Sequence, residues 1–170
     1  ETNPDNFAQY ITDIQKDGDS IGGVVECTVT GLPAGLGEPI FDKLQSHLAY
    51  AMMSINACKG FEYGSGFSNV ALKGSEMYLS NDSQLVSGGI AGGISDGNPI
   101  VFRCVFKPTA SNRKTLEALC AEVQKVQEFR SSGDSKIPLG RHDACVAVRA
   151  VAVVEAMAAL VVQDFLTSEM

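Results

Sequence analysis

Apolar residues along this chain recur at two different periods, and the changes of period mark out its elements. Phe7, Ile11 and Ile14 fall at helical spacing and predict a short helix within residues 1–19, stopped at Lys16-Asp17-Gly18-Asp19. Val24 to Thr30 (VVECTVT) is β-branched and bounded by Gly23 and Gly31, which predicts a strand. After the turn Leu32-Pro33-Ala34-Gly35-Leu36-Gly37, a helix is expected from about Pro39 to Ile55. Pro39 would sit in its first turn, and Ile40, Phe41, Leu44, Leu48, Ala51, Met52 and Ile55 would form its apolar stripe. Phe61-Glu62-Tyr63 and Val70-Ala71-Leu72 suggest short strands. Ile100 to Phe106 (IVFRCVF) is the strongest strand, and its near-continuous apolarity predicts burial on both faces. Leu116, Leu119, Val123 and Val126 predict an amphipathic helix over 112–129, and a last helix covers roughly 146–167. That helix is apolar nearly all round and should be covered on both sides, as a layer between sheets.

Composition narrows the class without naming it. A chain of 170 residues, 45% hydrophobic and 19% charged, suits a single globular domain or a large piece of a bigger one. A net charge of −7 disfavours a nucleic-acid partner, which needs a basic face, while leaving room for a local basic pocket for a small anion. Cys27, Cys58, Cys104, Cys120 and Cys145 are odd in number and widely spaced with no CxxC pair. They predict neither a disulfide framework nor a zinc site, but reduced thiols in a cytosolic-type compartment. The run from Ala144 to Leu166 is long enough to span a bilayer, but Arg149, Glu155, Gln163 and Asp164 interrupt it, so a buried helix with no membrane partner is expected. No signal peptide is recognisable, and a start at Glu1 rather than Met predicts that the true beginning lies upstream.

Three stretches carry candidate chemistry. Glycines at 88, 89, 92 and 93 suit close backbone approach to a phosphate or planar ring, and equally a tight turn between packed strands; no Walker or dinucleotide fingerprint accompanies them. Lys107 ends the strongest strand, with the hydroxyls of Thr109 and Ser111 close behind it. That set fits a phosphate or ribityl chain, or merely a surface lysine. Arg141-His142-Asp143 places a cation, a titratable ring and a carboxylate before the last helix. It reads as an anion clamp with a proton relay, or as helix capping by Asp143 with a surface salt bridge. His47 is expected to be structural, Asp17 and Asp19 to lie in a solvated turn rather than a metal site, and Arg149 and Glu155 to need partners if buried.

Several strings then occur in one order: Gly18-Asp19-Ser20-Ile21-Gly22-Gly23, Leu32 to Pro39 (LPAGLGEP), Met53 to Gly60 (MSINACKG), Gly88 to Ser95 (GGIAGGIS), Phe106-Lys107-Pro108-Thr109, Gly140 to Cys145 (GRHDAC), and Arg149-Ala150-Val151 with Val154-Glu155-Ala156-Met157. Over about residues 18–166 the chain resembles the C-terminal part of chorismate synthase. The resemblance implies an α+β fold, part of a β-α-β sandwich with helices layered between sheets, within a homotetramer. It implies reduced FMN as cofactor and 5-enolpyruvylshikimate 3-phosphate as substrate. The reaction would be an anti-1,4-elimination of phosphate and a ring proton with no net redox change, in aromatic amino acid biosynthesis. NADP is associated with the activity, and the compartment is cytoplasmic, or a plastid in a plant. By resemblance, flavin contacts fall on Asn56, Ala57, Gly92, Lys107, Pro108, Thr109, Ala110, Ser111 and Arg141, and Asp143 lies near the reactive edge of the ring as a proton acceptor or relay. No metal is implied.

The pattern also departs from the family. Nothing in residues 1–18 supplies the Gly-Glu-Ser-His-Gly histidine, the second catalytic histidine or the arginines that grip substrate. Ala144 and Ala152 stand where prolines are usual, residues 112–136 differ most, and the stretch between Gly74 and Ser87 is short. The expectation is a single-domain C-terminal fragment, residues 1–170, inactive alone. The other reading is a non-catalytic structural or oligomerisation module of the same fold that no longer binds flavin.

Overall fold

The computed structural model describes residues 4–79, 86–128 and 143–168. Its elements are α1 (Pro4–Lys16), β1 (Gly23–Val29), α2 (Leu44–Met53), β2 (Cys58–Tyr63), a 3-10 turn (Gly66–Ala71), α3 (Gly74–Leu79), β3 (Ile90–Ala91), β4 (Ile94–Ser95), β5 (Ile100–Phe106), α4 (Arg113–Glu128) and α5 (Ala147–Ser168). The chain, expected as one domain, divides into two compact units. The smaller comprises Glu1–Gly23 with Lys107–Val146, and the larger Val24–Phe106 with Ala147–Met170.

In the larger unit, β5 lies between β1 and β2 in a three-stranded sheet. It runs antiparallel to β2, with Phe61 opposite Cys104, Tyr63 opposite Phe102, and an irregularity between Cys58 and Gly60. Ile100, Phe102, Cys104 and Phe106 form its buried face, and the Phe61 and Phe102 rings pack with centroids 5.5 Å apart. Leu44, Leu48, Ala51 and Met52 are the buried face of α2, which packs against both β2 and α5. Each of these large side chains, fully buried, contributes roughly 1.5–3 kcal/mol. From α5 the buried stripe is Ala147, Ala150, Val154, Ala158 and Val162, at steps of three and four. His47 joins the two helices: its ring meets Phe165 edge-on at 5.0 Å, while Nε2 lies 3.0 Å from Asp42 Oδ1. That agrees with its expected structural role.

Four expectations need correction. Residues 39–43 are not helical, and Pro39 is not in a first helical turn. Lys43 is extended (φ −65°, ψ 134°), the Leu44 N–H donates to Gly93 O at 2.8 Å, and Ile40 and Phe41 are exposed. Val70–Leu72 is not a strand but the end of the 3-10 turn, whose start is fixed by Phe67 N–H donating to Glu62 Oε2 at 3.0 Å. β5 is not buried on both faces, because Val105 is exposed and Val101 and Arg103 are half-buried; antiparallel pairing permits one wet face. Nor is α5 covered all round: Val148, Val151, Val153 and Leu160 are exposed, as are Arg149 and Glu155. By length and composition α5 is also the one helix among the described residues apolar enough to cross a membrane.

In the smaller unit, α1 ends in a two-bond glycine cap. Gly18 (φ +71°) donates to Gln15 O at 3.1 Å and Asp19 N–H to Ile14 O at 3.1 Å. α4 begins where its sequence predicts, at Asn112, whose Oδ1 accepts the Thr115 N–H at 2.8 Å while its own carbonyl accepts the Leu116 N–H. Leu116 is half-buried and Leu119 exposed; the side chains of Val123 and Val126 lie outside what is described. All five cysteines are unpaired.

Candidate flavin-contact site

Asn56 and Ala57 form the turn between α2 and β2. Ser54 closes the helix, its N–H reaching Tyr50 O and Ala51 O and its Oγ donating to Tyr50 O at 2.7 Å. Cys58 N–H then donates to Ile55 O at 3.1 Å, which forces the intervening pair round a corner. Ala57 bears the strain with φ +69°, alone among described non-glycine residues in the left-handed region, at a cost of roughly 1–2 kcal/mol. Asn56 is exposed beside it.

Gly92 and Gly93 are the two-residue loop of the β3–β4 hairpin, in which Ile90 pairs with Ser95 and Ala91 with Ile94. Both have positive φ (+65° and +111°), as a tight hairpin loop of this kind requires. Their surroundings differ. A Cβ on Gly93 would sit 2.8 Å from Glu38 O and 2.6 Å from Lys43 Cγ, whereas one on Gly92 would meet nothing within 4 Å. Gly88 and Gly89 resemble Gly93, closed against Gly64 and Pro99 backbone respectively. Of the four glycines, only Gly92 keeps free space for a ligand. It lines a cavity of about 810 Å³ with Gln45, Phe61, Tyr63, Phe67 and Asn98, which Asn56 and Ala57 do not join.

In the smaller unit, Lys107, Pro108, Ala110 and Ser111 are exposed and Thr109 is half-buried. The loop is held from its inner side. Thr109 O accepts the Ser20 hydroxyl at 2.6 Å and Asn112 Nδ2 at 3.3 Å, and Asn112 Nδ2 also donates to Ser20 Oγ at 3.3 Å. Lys107 and Ser111 make no hydrogen bond or ion pair among the described residues, so their polar ends remain available to an anion. Asp143 is half-buried, and its neighbour Ala144 accepts the Ile21 N–H at 2.8 Å. α5 starts four residues after Asp143 and has no acid in its first turn. Arg141 and His142 lie outside the described residues.

The expected contacts thus fall on both compact units: Asn56, Ala57 and Gly92 on the larger, Lys107 to Ser111 and Asp143 on the smaller. In the smaller one, a single strap, Lys16 to Gly22, ties both segments. Lys114 anchors its other end, its Nζ meeting Asp17 and, at 3.3 Å, Asp19, while its N–H donates to Gly18 O. The Ser20 N–H, and then Lys114, hold the Asp19 carboxyl below its ordinary value, and the Asp17 hydrogen bond raises Lys114 first of all. Asp17 and Asp19 are therefore lysine-bridged, and no metal-binding group of His, Cys, Asp or Glu occurs among the described residues. In the sheet, burial first and then Cys58 and Cys27 push the Cys104 thiol up to about 12, so it is a neutral packing group rather than a nucleophile. Sequence reasoning missed Ser20, Asn112 and Lys114 as supports; Gly18-Asp19-Ser20 stood out as a string, but nothing in it signalled partners some ninety residues away.

The chain is thus an α+β protein whose candidate ligand contacts sit on glycine turns and a lysine-bearing loop. The chain belongs to the chorismate synthase family, whose sequence profile matches residues 1–167. It is 49% identical over 164 residues to a chorismate synthase of Christiangramia forsetii, covering 92% of this chain and 43% of that one. It is 46% identical over 167 residues to one of Prochlorococcus marinus, covering 93% and 44%. A crystal structure of chorismate synthase matches 97% of this chain and 43% of its own length, at 30% identity and a TM-score of 0.69, in agreement with the α+β class. The chain thus spans less than half the length of these relatives.

Proposed function

We propose that this chain provides the flavin-contacting side of a chorismate synthase site. The activity is that of a carbon–oxygen lyase that eliminates phosphate and a ring proton from 5-enolpyruvylshikimate 3-phosphate to give chorismate. The observation that carries this is the Lys107–Ser111 loop: its backbone is fixed at Thr109 from within, while the Lys107 ammonium and Ser111 hydroxyl are exposed and uncommitted among the described residues. Such a set fits the phosphate and ribityl chain of FMN, because donors fixed beforehand lose little freedom on binding. Gly92 fits as a place where backbone approaches a ring, having open space where a side chain would be. Reduced FMN, when bound, supplies electron density toward the breaking C–O bond. Asp143, half-buried, would take or relay the ring proton on its carboxylate. Arg141, two positions earlier in the sequence, would supply a second cation.

Neither of the family's catalytic histidines nor its substrate-gripping arginines has a counterpart in the sequence, so the 170 residues alone should not turn over. The exposed apolar positions Tyr50, Val148, Val151 and Leu160 favour association, with a tetramer as the family's assembly. We further propose a cytoplasmic or plastid compartment, no nucleic-acid or membrane partner, and one functional fragment formed by both compact units. The same apolar positions are what the second reading rests on, a structural module that assembles without flavin.

Titration of the purified chain with oxidised and reduced FMN, followed by flavin fluorescence, separates the two. Saturable binding that weakens at least tenfold in Lys107→Ala supports the flavin side. A folded oligomer indifferent to FMN supports the module.

A further inference from the structure

Asn112 is buried to 7% exposure in a stretch whose neighbours are open to solvent. Helix capping accounts for only part of its side chain: Oδ1 accepts the Thr115 N–H, leaving an amide with two hydrogens facing inward. Nδ2 lies 3.3 Å from both Ser20 Oγ and Thr109 O and donates to this pair, while the Ser20 hydroxyl spends its single hydrogen on the same Thr109 O at 2.6 Å. Asn112 Nδ2, Ser20 Oγ and Thr109 O thus form a closed triangle of hydrogen bonds. Turning the amide over would set its NH2 against the Thr115 N–H, so the capping bond fixes which way the clasp faces.

What the clasp holds is a backbone carbonyl, not a side chain. Thr109 is the middle residue of Lys107–Ser111, so fixing its peptide plane fixes the backbone that carries the exposed groups on either side. The clasp is itself anchored. Ser20 follows the glycine cap of α1, Lys114 bridges Asp17 and Asp19, and the next residue, Ile21, donates to Ala144 O beside Asp143. One strap thus registers the lysine loop and the carboxylate segment together. We propose that Ser20 and Asn112 are positioning residues, which hold the Lys107–Ser111 loop in its FMN-receiving conformation without touching the cofactor. This rests on the flavin reading above.

Three variants of the full 170-residue chain test it by FMN titration beside the Lys107→Ala control. Asn112→Ser keeps a neutral helix cap but is too short to reach both Ser20 Oγ and Thr109 O. Ser20→Ala removes the hydroxyl, and Ser20→Thr restores it. We expect Asn112→Ser and Ser20→Ala each to weaken FMN binding roughly 5–30-fold, the scale of one or two lost hydrogen bonds. The double variant should lose much less than the product of the two, since both act on one carbonyl. Ser20→Thr should stay within about threefold of wild type, and urea midpoints should not track the order of affinities. The role is overturned if wild type binds, Lys107→Ala does not, and both clasp variants bind like wild type. It is also overturned if their losses match their unfolded fractions, or if the double variant is multiplicative. A folded wild-type chain with no saturable binding overturns the flavin reading and this role together.

Discussion

Replacing Ser95 with alanine should be among the most damaging single-atom changes in this chain. Ser95 is 3% exposed and ties the Leu32–Gly37 turn to the β3–β4 hairpin by four bonds. Its backbone accepts from Gly35 N–H and donates to Leu36 O, each at 2.9 Å; its hydroxyl accepts the Leu36 N–H at 3.0 Å and donates to Pro33 O at 2.7 Å. Alanine keeps the first two and deletes both hydroxyl bonds, leaving a donor and an acceptor without partners beside fully buried Leu36. Each orphaned group costs about 1–3 kcal/mol, partly offset because the hydroxyl itself no longer needs desolvating, so the net loss should be about 2–4 kcal/mol. With a urea slope of about 2 kcal/mol per molar, the midpoint should fall by roughly 1–2 M. Amide exchange gives a local check: the Leu36 N–H should exchange roughly 30-fold or more faster, even under conditions where the variant is folded. Exposed Ser111→Ala, which breaks no hydrogen bond among the described residues, should stay within about 0.5 kcal/mol of wild type. If Ser95→Ala shifted its midpoint no more than Ser111→Ala, the hydroxyl bridge would not be holding the turn.

Glycine replacements in the hairpin and titration of the Asp19–Lys114 pair test other parts of the fold. Gly93→Ala should lower stability by about 3 kcal/mol or more, since the new Cβ at φ +111° strikes Glu38 O and Lys43 Cγ and displaces the carbonyl that receives the Leu44 N–H. Gly92→Ala, at φ +65° with open space around it, should cost only about 1 kcal/mol in the same urea titration. Asp19 has a folded pKa below 3.8, so its contribution to stability is present above that value and is lost as pH falls through the lower, folded one. Lys114 is raised above 10.5, so its contribution is present below that value and lost as pH rises through the raised one. NMR titration of the Asp19 carboxyl in Lys114→Met should show its pKa moving up only part of the way to the ordinary value, because the Ser20 N–H bond ranks first among the causes; full recovery would contradict that order.

Local signals were enough wherever an element is decided by its own residues. β5 is delimited by the apolar run Ile100–Phe106, α4 by Asn112 as its cap, and the end of α1 by Gly18. Misjudged elements depend on partners outside their own residues. Pro39-Ile40-Phe41 has the composition of a helix start, yet Leu44 gives its N–H to Gly93, 49 positions further on, and that bond leaves Lys43 extended. Val70 and Leu72 have β propensity, but Glu62 reaches back to cap the Phe67 amide and winds the segment into a 3-10 turn. All-round apolarity in α5 reads as burial on all sides, whereas one stripe from Ala147 to Val162 is buried within this chain. For the site, residue types in Lys107–Ser111 suit an anion-binding loop or a surface lysine equally, and nothing in them signals the buried clasp beneath. Ser20 and Asn112 are ordinary polar residues until the fold brings them to one carbonyl.

The glycine string shows how a motif that matches a family divides its work. Gly88, Gly89 and Gly93 are each pressed against backbone, of Gly64, Pro99 and Glu38 respectively, so a side chain at any of them would break packing whether or not a ligand exists. Gly92 shares their positive φ but not their crowding. If the motif served the turn alone, an L-residue tolerant of left-handed geometry, such as asparagine, would suffice at 92 and only the crowded positions would need glycine. If a flat ring lies against this backbone, a side chain at 92 would fill the space the ring requires. Gly92→Asn therefore separates the two uses of one string: folding kept with flavin binding lost assigns Gly92 to the ligand, and folding and binding both kept leave all four glycines to the hairpin.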